Sequence, residues 1–360
     1  MNAVTIIMLI FSVLGGIDRF FGNKLKLGEE FEKGFMLLGN LVLSMMGMIV
    51  ISPLIAHLMS PLFEIFYGTF HIDPSILPAM FFASDMGAAS LAKSVAHNPD
   101  IAMFNGLIVS SMIGCTVSFT LPYVITSVDK KHHDNIFLGF LCGIVTIPVG
   151  CFIAGLFCSI KISVLIITLL PLIVFSILIT LSLIFFKSIC IKVFKGIAVA
   201  IKCIITLGLV FGIINFLIGK PVIPYLDTLE NGAIICLNAA VIMTGAFPLL
   251  KILSIILAKP LKLLSQKQGI NESSITGFIS SLATSITTFE IIDKMDTKGI
   301  VLNSAFIVSA SFLLADHLAF TIAFDSTYIL PLIIGKLISG FAAIIVANLI
   351  YNKSKKSEEV

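Results

Sequence analysis

Charge is what this chain has least of. Asp, Glu, Lys and Arg make up 12% of its 360 residues, against about 25% in an ordinary soluble domain. Hydrophobic residues make up 58% and the mean hydropathy is +1.11. No polar block is long enough to form a soluble domain, so the chain reads as one integral membrane unit. Tryptophan is absent, which leaves Tyr and Phe to mark the membrane–water interfaces. A P-loop, HExxH, GxSxG and any redox pattern are also missing, which argues against a nucleotide-driven pump and against an enzyme. No cofactor is therefore expected. The cysteines Cys115, Cys142, Cys151, Cys158, Cys190, Cys203 and Cys236 form no CxxC or Cys/His metal pattern and read as small packing residues. The net charge of +3 comes from loop lysines and gives no sign of a nucleic-acid partner. The expected partners are a small solute and the lipid bilayer, with a homo-oligomer left open.

About 20 apolar residues span a bilayer as helix. Eleven candidate segments lie near 3–18, 34–58, 76–92, 101–127, 136–159, 162–186, 196–219, 231–257, 274–292, 300–323 and 327–351. The first lacks a basic n-region and an evident cleavage site, so it reads as a transmembrane helix and not a removed signal. Two segments are poor spanning helices. The stretch 76–92 holds Pro78, Ser84, Asp85, Gly87 and Ser90, and 274–292 holds a run of hydroxyls and Glu290. If both re-enter the side they left, the loop Lys and Arg divide seventeen to three, which the positive-inside rule strongly prefers. The expectation is nine crossings, an outside N-terminus and a cytoplasmic C-terminus. Broken helices that cross remain the alternative.

The two halves resemble each other at an offset near 198. FEKGFMLLGNLVLSMMG (31–47) follows the course of LENGAIICLNAAVIMTG (229–245), and HIDPSILPAMFFASDMG (71–87) that of GINESSITGFISSLATS (269–285). The predicted fold is all-α and polytopic, with two five-segment repeats, inverted because an odd number of crossings separates them, and two broken or re-entrant helices. Residues 1–160 form the first repeat, 161–195 a linker helix and basic cytoplasmic loop, and 196–360 the second. Inverted repeats meeting at discontinuous helices are a common transporter plan.

A carboxylate within a bilayer costs roughly 2.5–3.5 kcal/mol on insertion scales, so it marks a site by default. Asp85 is the first candidate, suited to an ammonium group; the alternative is a structural ion pair with Lys93 or Lys336. Asp316 and His317 follow in one predicted helix, where adjacent residues point about 100° apart, so only one of them should face a given cavity. His317, towards the outside, suits gating or proton coupling, and Glu290, near the cytoplasmic end, is given the same role. Ser84, Thr284, Ser285 and Thr288 can take a hydroxyl or ammonium, or satisfy backbone freed by a broken helix. Gly87, Asn105 and Asn303 read as helix-break or packing residues. Glu30, Glu32, Lys33, His132 and His133 read as a solvated cytoplasmic face.

The stretch 31–61, SDMGAASLAK (84–93), GIVTIPVG (143–150) and KGIVLNSAFIVSASFLLADHLAF (298–320) resemble, in order, the ethanolamine permease family of the ethanolamine-utilisation operon. The most specific elements are Asp85-Met86-Gly87 and Asp316-His317-Leu318. The resemblance implies uptake of ethanolamine across the bacterial inner membrane, feeding a cobalamin-dependent lyase in a microcompartment. The chain departs from the family pattern in three places. Thr284, Ser285 and Thr287 replace two Asn and a Pro, Ala88-Ala89 replaces a glycine-rich turn, and Ala315 replaces a Gly.

The reading is a carrier of ethanolamine, a protonated small amino alcohol, with Asp85 on the ammonium, hydroxyls and Asp316 completing the shell, and one bundle rocking against another. The alternatives are a carrier of a related amino alcohol and a channel-like facilitator of the neutral amine.

Overall fold

The computed structural model describes residues 3–358, with side chains described except at 257–268 and 354–358. The loop lysines Lys259, Lys262, Lys267, Lys355 and Lys356, which weigh in the charge asymmetry, lie outside those described side chains. Every described regular element is helical. Apolar runs this long leave the backbone no partner but itself in lipid, which selects helices. Among the described residues, eight helices are long and apolar enough to cross a membrane.

Helix α1 (Ala3–Phe20) leads into a helical run α2 (Leu27–Phe70). Two short helices, α3 (Ile76–Phe81) and α4 (Ala89–Val95), follow. Next come α5 (Pro99–Ser127), α6 (His133–Phe157), α7 (Ile162–Phe185) and α8 (Lys187–Ile218). Helix α9 (Leu229–Gln268) precedes a second short pair, α10 (Glu272–Ala283) and α11 (Ser285–Glu290). Helices α12 (Thr297–Ala310), α13 (Asp316–Phe324) and α14 (Ile329–Glu358) complete the chain.

These elements fall into two packed groups. In one, α1, α2, α8 and α9 touch along small residues. A Cβ on Gly34 would lie 2.5 Å from the Thr244 backbone, and one on Gly232 would lie 2.6 Å from the Met46 side chain. Gly15 abuts Phe31 and Pro248, while Gly212 abuts Leu229 and Val50. Without a hydrophobic force between helices in lipid, close backbone approach at small residues is what draws them together. In the other group, α6, α12 and α14 pack along Gly139, Gly143 and Gly150, which face Val301, Ala305 and Gly335. The apolar faces that neither group covers, such as Ile166, Val174 and Leu181 on α7, are exposed and suit lipid.

The structure corrects two expectations. Segment 300–323 is not one helix: residues 311–315 leave helical geometry between α12 and α13, with Ser311 extended and Phe312 at φ 60°. There are thus three interruptions, not two. His133 is not on a solvated face, because it is buried and its Nε2 lies 3.0 Å from the Val128 carbonyl oxygen. His132 does stay at the edge, 2.8 Å from Asp293.

Candidate functional site

Both short helix pairs are hairpins that return to where they start. Asp73, just before α3, accepts hydrogen bonds from the amides of His97 and Asn98, at 3.0 and 2.9 Å, just before α5. Asn98 in turn caps α5 by accepting from the Asp100 amide at 2.9 Å. At the second pair, Asp296 accepts from the Asn271 amide at 2.8 Å and caps α12 by accepting from Gly299 at 3.1 Å. Asn271 also donates to the Lys294 carbonyl at 2.8 Å. The entry and exit of each hairpin are therefore clipped together. Farther in, Asn105 donates to Ser75 Oγ at 2.9 Å and Asn303 donates to the Ser274 carbonyl at 2.7 Å, tying each hairpin to the helix that follows it.

The chain breaks at the hairpin tips. Phe82 and Ala83 are extended, and Gly87 then takes φ +100°. Only glycine suits that conformation readily, and a Cβ there would fall 1.7 Å from Met48 Cγ. The second tip is one extended residue, Thr284, whose Oγ1 accepts from the Ile286 amide. The third break runs beside it, with the amides of Phe312 and Leu314 donating to the carbonyls of Ser281 and Leu282 at 3.0 and 2.9 Å. The Ala83 amide donates to Ser118 Oγ at 3.1 Å. Polar backbone freed in the bundle is satisfied by protein, as irregular chain at that depth requires.

All three breaks face one cavity of about 430 Å³. The first break contributes Ala83, Asp85 and Met86, the second Ala283, Thr284 and Ile286, and the third Phe312, Ala315, Asp316 and His317. Leu37, Asn40, Leu41 and Ser44 of α2, with Phe247 of α9, close the opposite wall. Asp85 Oδ1 is buried with no hydrogen-bond partner. His317 Nε2 stands 3.7 Å from it, near enough for charge but beyond a hydrogen bond. Among the described residues, no Lys or Arg lines the cavity.

Four of the residues singled out from sequence thus meet here: Asp85, Thr284, Asp316 and His317. The 311–315 break lets Asp316 and His317 both face the cavity, which adjacent residues of one continuous helix were not expected to do. The others are placed elsewhere. Ser84 and Ser285 are buried beside the breaks with unpartnered hydroxyls. Thr288 donates to the Gly277 carbonyl at 2.9 Å. Glu290 is exposed at the end of α11, and Gly87, Asn105 and Asn303 do not line the cavity.

Sequence reasoning gave Lys336 too small a part. It is fully buried on α14 and donates to the Ser111 carbonyl at 2.7 Å and to His317 Nδ1 at 3.0 Å. The carbonyl comes from a stretch of α5, Phe104–Gly114, wound as π-helix. When protonated, Lys336 has only donors, so Nδ1 accepts and the ring proton sits on Nε2, facing Asp85. Lys93, the other partner considered for Asp85, instead lies over the Phe324 ring at 5.9 Å. A lone charge in the apolar run LIIGKLISG was the available signal.

Comparison with known proteins adds the family. The sequence matches the family described as "EutH: Ethanolamine utilisation protein, EutH" over residues 1–350. It is 37% identical over 357 residues to the "Probable ethanolamine permease EutH" of Listeria monocytogenes, covering 98% of this chain and 96% of that protein. It is 34% identical over 373 residues to the protein of the same name from Escherichia coli K12, covering 96% and 91%. It is also 31% identical over 342 residues to the "Uncharacterized protein YxeR" of Bacillus subtilis, covering 95% and 92%. No solved structure matches. With three breaks closing on one carboxylate-lined cavity and a family match along nearly its whole length, this chain belongs to the EutH ethanolamine-utilisation protein family.

Proposed function

We propose that this protein is an inner-membrane carrier that takes up ethanolamine as its ammonium form, binding it between Asp85 and Asp316. The observation that carries the reading is the pair of carboxylates on a cavity that no described Lys or Arg lines, one of them holding a buried oxygen with no partner among the described residues. A desolvated carboxylate attracts an ammonium far more strongly than it does in water. The barrier to moving this amine across lipid is the desolvation of its charge, and these groups replace the lost water. Thr284 on the facing tip is placed to meet the alcohol. The names of the Listeria and Escherichia relatives support ethanolamine as the substrate.

The architecture we infer is an inverted five-segment repeat. Its support is paired contacts at a common offset: Gly34 with Thr244 beside Gly232 with Met46, and Asp73 with Asn98 beside Asn271 with Asp296. The clipped hairpins favour re-entrant segments, hence nine crossings with the N-terminus outside and the C-terminus in the cytoplasm. Transport is then a rigid-body movement of the hairpin-bearing group against α1, α2, α8 and α9, with the cavity at their seam.

The test is uptake of labelled ethanolamine into proteoliposomes with and without an inside-negative potential. Saturable, potential-driven uptake is expected. Unsaturable uptake that rises with pH and ignores the potential would show a neutral-amine pathway and contradict the reading.

A further inference from the structure

Among the side chains at the site, Lys336 is the one that binding of an amine does not require. It is a lysine, ordinarily a cation, placed behind a site meant for a cation, which at first sight opposes binding. Its position is tightly built. The ammonium is fully buried, donates to Ser111 O at 2.7 Å and to His317 Nδ1 at 3.0 Å, and is screened from the cavity by the His317 ring. Gly335 beside it brings α14 against α6, where a Cβ would lie 2.8 Å from that of Ala154. The lysine does not line the cavity, so an incoming ligand does not displace it.

Counting charge around the cavity gives two carboxylates, Asp85 and Asp316, and one tethered ammonium, Lys336. His317 accepts from the lysine and is neutral in this arrangement. With both carboxylates ionised and the lysine protonated, the sum is one uncompensated negative charge. At low dielectric, charge balance weighs heavily in deciding what can enter. A ligand with one positive charge closes the count, a dication overshoots it, and a neutral alcohol leaves it open.

We propose that Lys336 is a specificity-determining residue that sets the charge of the accepted ligand at one, so that the site takes monoamines and rejects diamines of similar size. The lysine acts through His317 and the local field, without touching the ligand. This rests on the amine-carrier reading above and extends it to selectivity. Removing the lysine should leave room for a second positive charge, and removing one carboxylate as well should restore the original count.

The experiment measures displacement of labelled ethanolamine from the purified full-length protein by unlabelled ethanolamine and by 1,3-diaminopropane, a dication at neutral pH. Wild type should favour the monoamine. In Lys336→Met the ratio should move toward the diamine by at least about tenfold, the change expected for roughly 1.4 kcal/mol. Lys336→Arg, which keeps the charge, should hold the wild-type preference. The double variant Asp316→Asn/Lys336→Met should return toward it. A purely packing role for the lysine would change stability without reversing the preference, so an unchanged ratio in Lys336→Met overturns the proposal. Should that variant fail to insert, the double variant decides: binding with monoamine preference supports the charge count, and failure to recover binding overturns it. Wild-type protein that prefers other monoamines to ethanolamine, yet still rejects the diamine, would refute the ethanolamine reading and leave the charge count standing.

Discussion

The two hairpins, 73–98 and 271–296, are built alike and equipped differently. Each is closed at its base by an Asp or Asn pair and tied inward by an asparagine, Asn105 or Asn303. Each breaks at its tip. The first tip carries Asp85 and needs Gly87 at φ +100° to make its turn, whereas the second carries Thr284 and Ser285 and turns through one extended residue. The difference separates scaffold from chemistry. Breaking a helix needs only freed backbone groups and something to satisfy them. Holding a cation needs charge, which is costly in lipid, and of the two tips only the first carries it. The remaining ionisable groups, Asp316, His317 and Lys336, come from the elements that follow the second hairpin, so one side of the cavity supplies a lone acid and the other a buried relay.

The largest expected effect tests that division. Asp85→Asn should weaken ethanolamine uptake by at least about 30-fold, since losing one partner of a buried charge pair costs about 2–5 kcal/mol; transport assays on normally inserted protein check this. Gly87→Ala comes next. It forces a side chain into a left-handed backbone and onto Met48, and a cost of about 1–3 kcal/mol should appear as a lower melting temperature in detergent. The same change at Gly269, where φ is +64° but nothing lies within 4 Å, should cost less. Opening a base clip with Asp73→Ala or Asp296→Ala leaves amides unpaired. Each should destabilise its hairpin by about 1–3 kcal/mol, read as faster amide exchange at the hairpin base. Thr284→Ala should reduce affinity only several-fold, the worth of one neutral hydrogen bond at about 0.5–1.5 kcal/mol.

The smallest effect lies outside the spanning helices. His132 and Lys131 hold the Asp293 carboxyl below its ordinary value, chiefly through the His132 hydrogen bond. A depressed carboxyl stabilises the fold above its unfolded value of about 3.9, and loses that contribution as pH falls through the lower folded value. Asp293→Asn should therefore remove a slight acid sensitivity, seen as a flatter melting temperature between mildly acidic and strongly acidic buffer.

Much of the fold was legible because hydropathy reports directly on burial in lipid: each of the eight long helices coincides with an apolar run. The first two interruptions were legible because Asp85, Gly87 and the hydroxyls of 280–288 are poor company for a spanning helix. The third was not. SFLLA (311–315) is apolar, contains no Gly or Pro, and favours helix on its own, so only its pairing with Ser281 and Leu282 explains why it stays open. Asp85 and Asp316 stood out as lone acids. That they share one cavity could not be read, since it depends on that break. Thr288 read as a hydroxyl for ligand or for freed backbone and Asn303 as a packing residue; in the structure the Thr288 hydroxyl and the Asn303 amide nitrogen both donate to backbone carbonyls. Lys336 was visible as a lone charge, but its partner His317 is brought to it only by the packing of α13 on α14.

The most direct test of the central claim is equilibrium binding of labelled ethanolamine to purified wild type, Asp85→Asn and Ser285→Ala side by side. The account predicts that binding is lost in Asp85→Asn and kept within a few-fold in Ser285→Ala, because charge resides on the first tip alone. Wild-type binding in Asp85→Asn, or loss confined to Ser285→Ala, would contradict it.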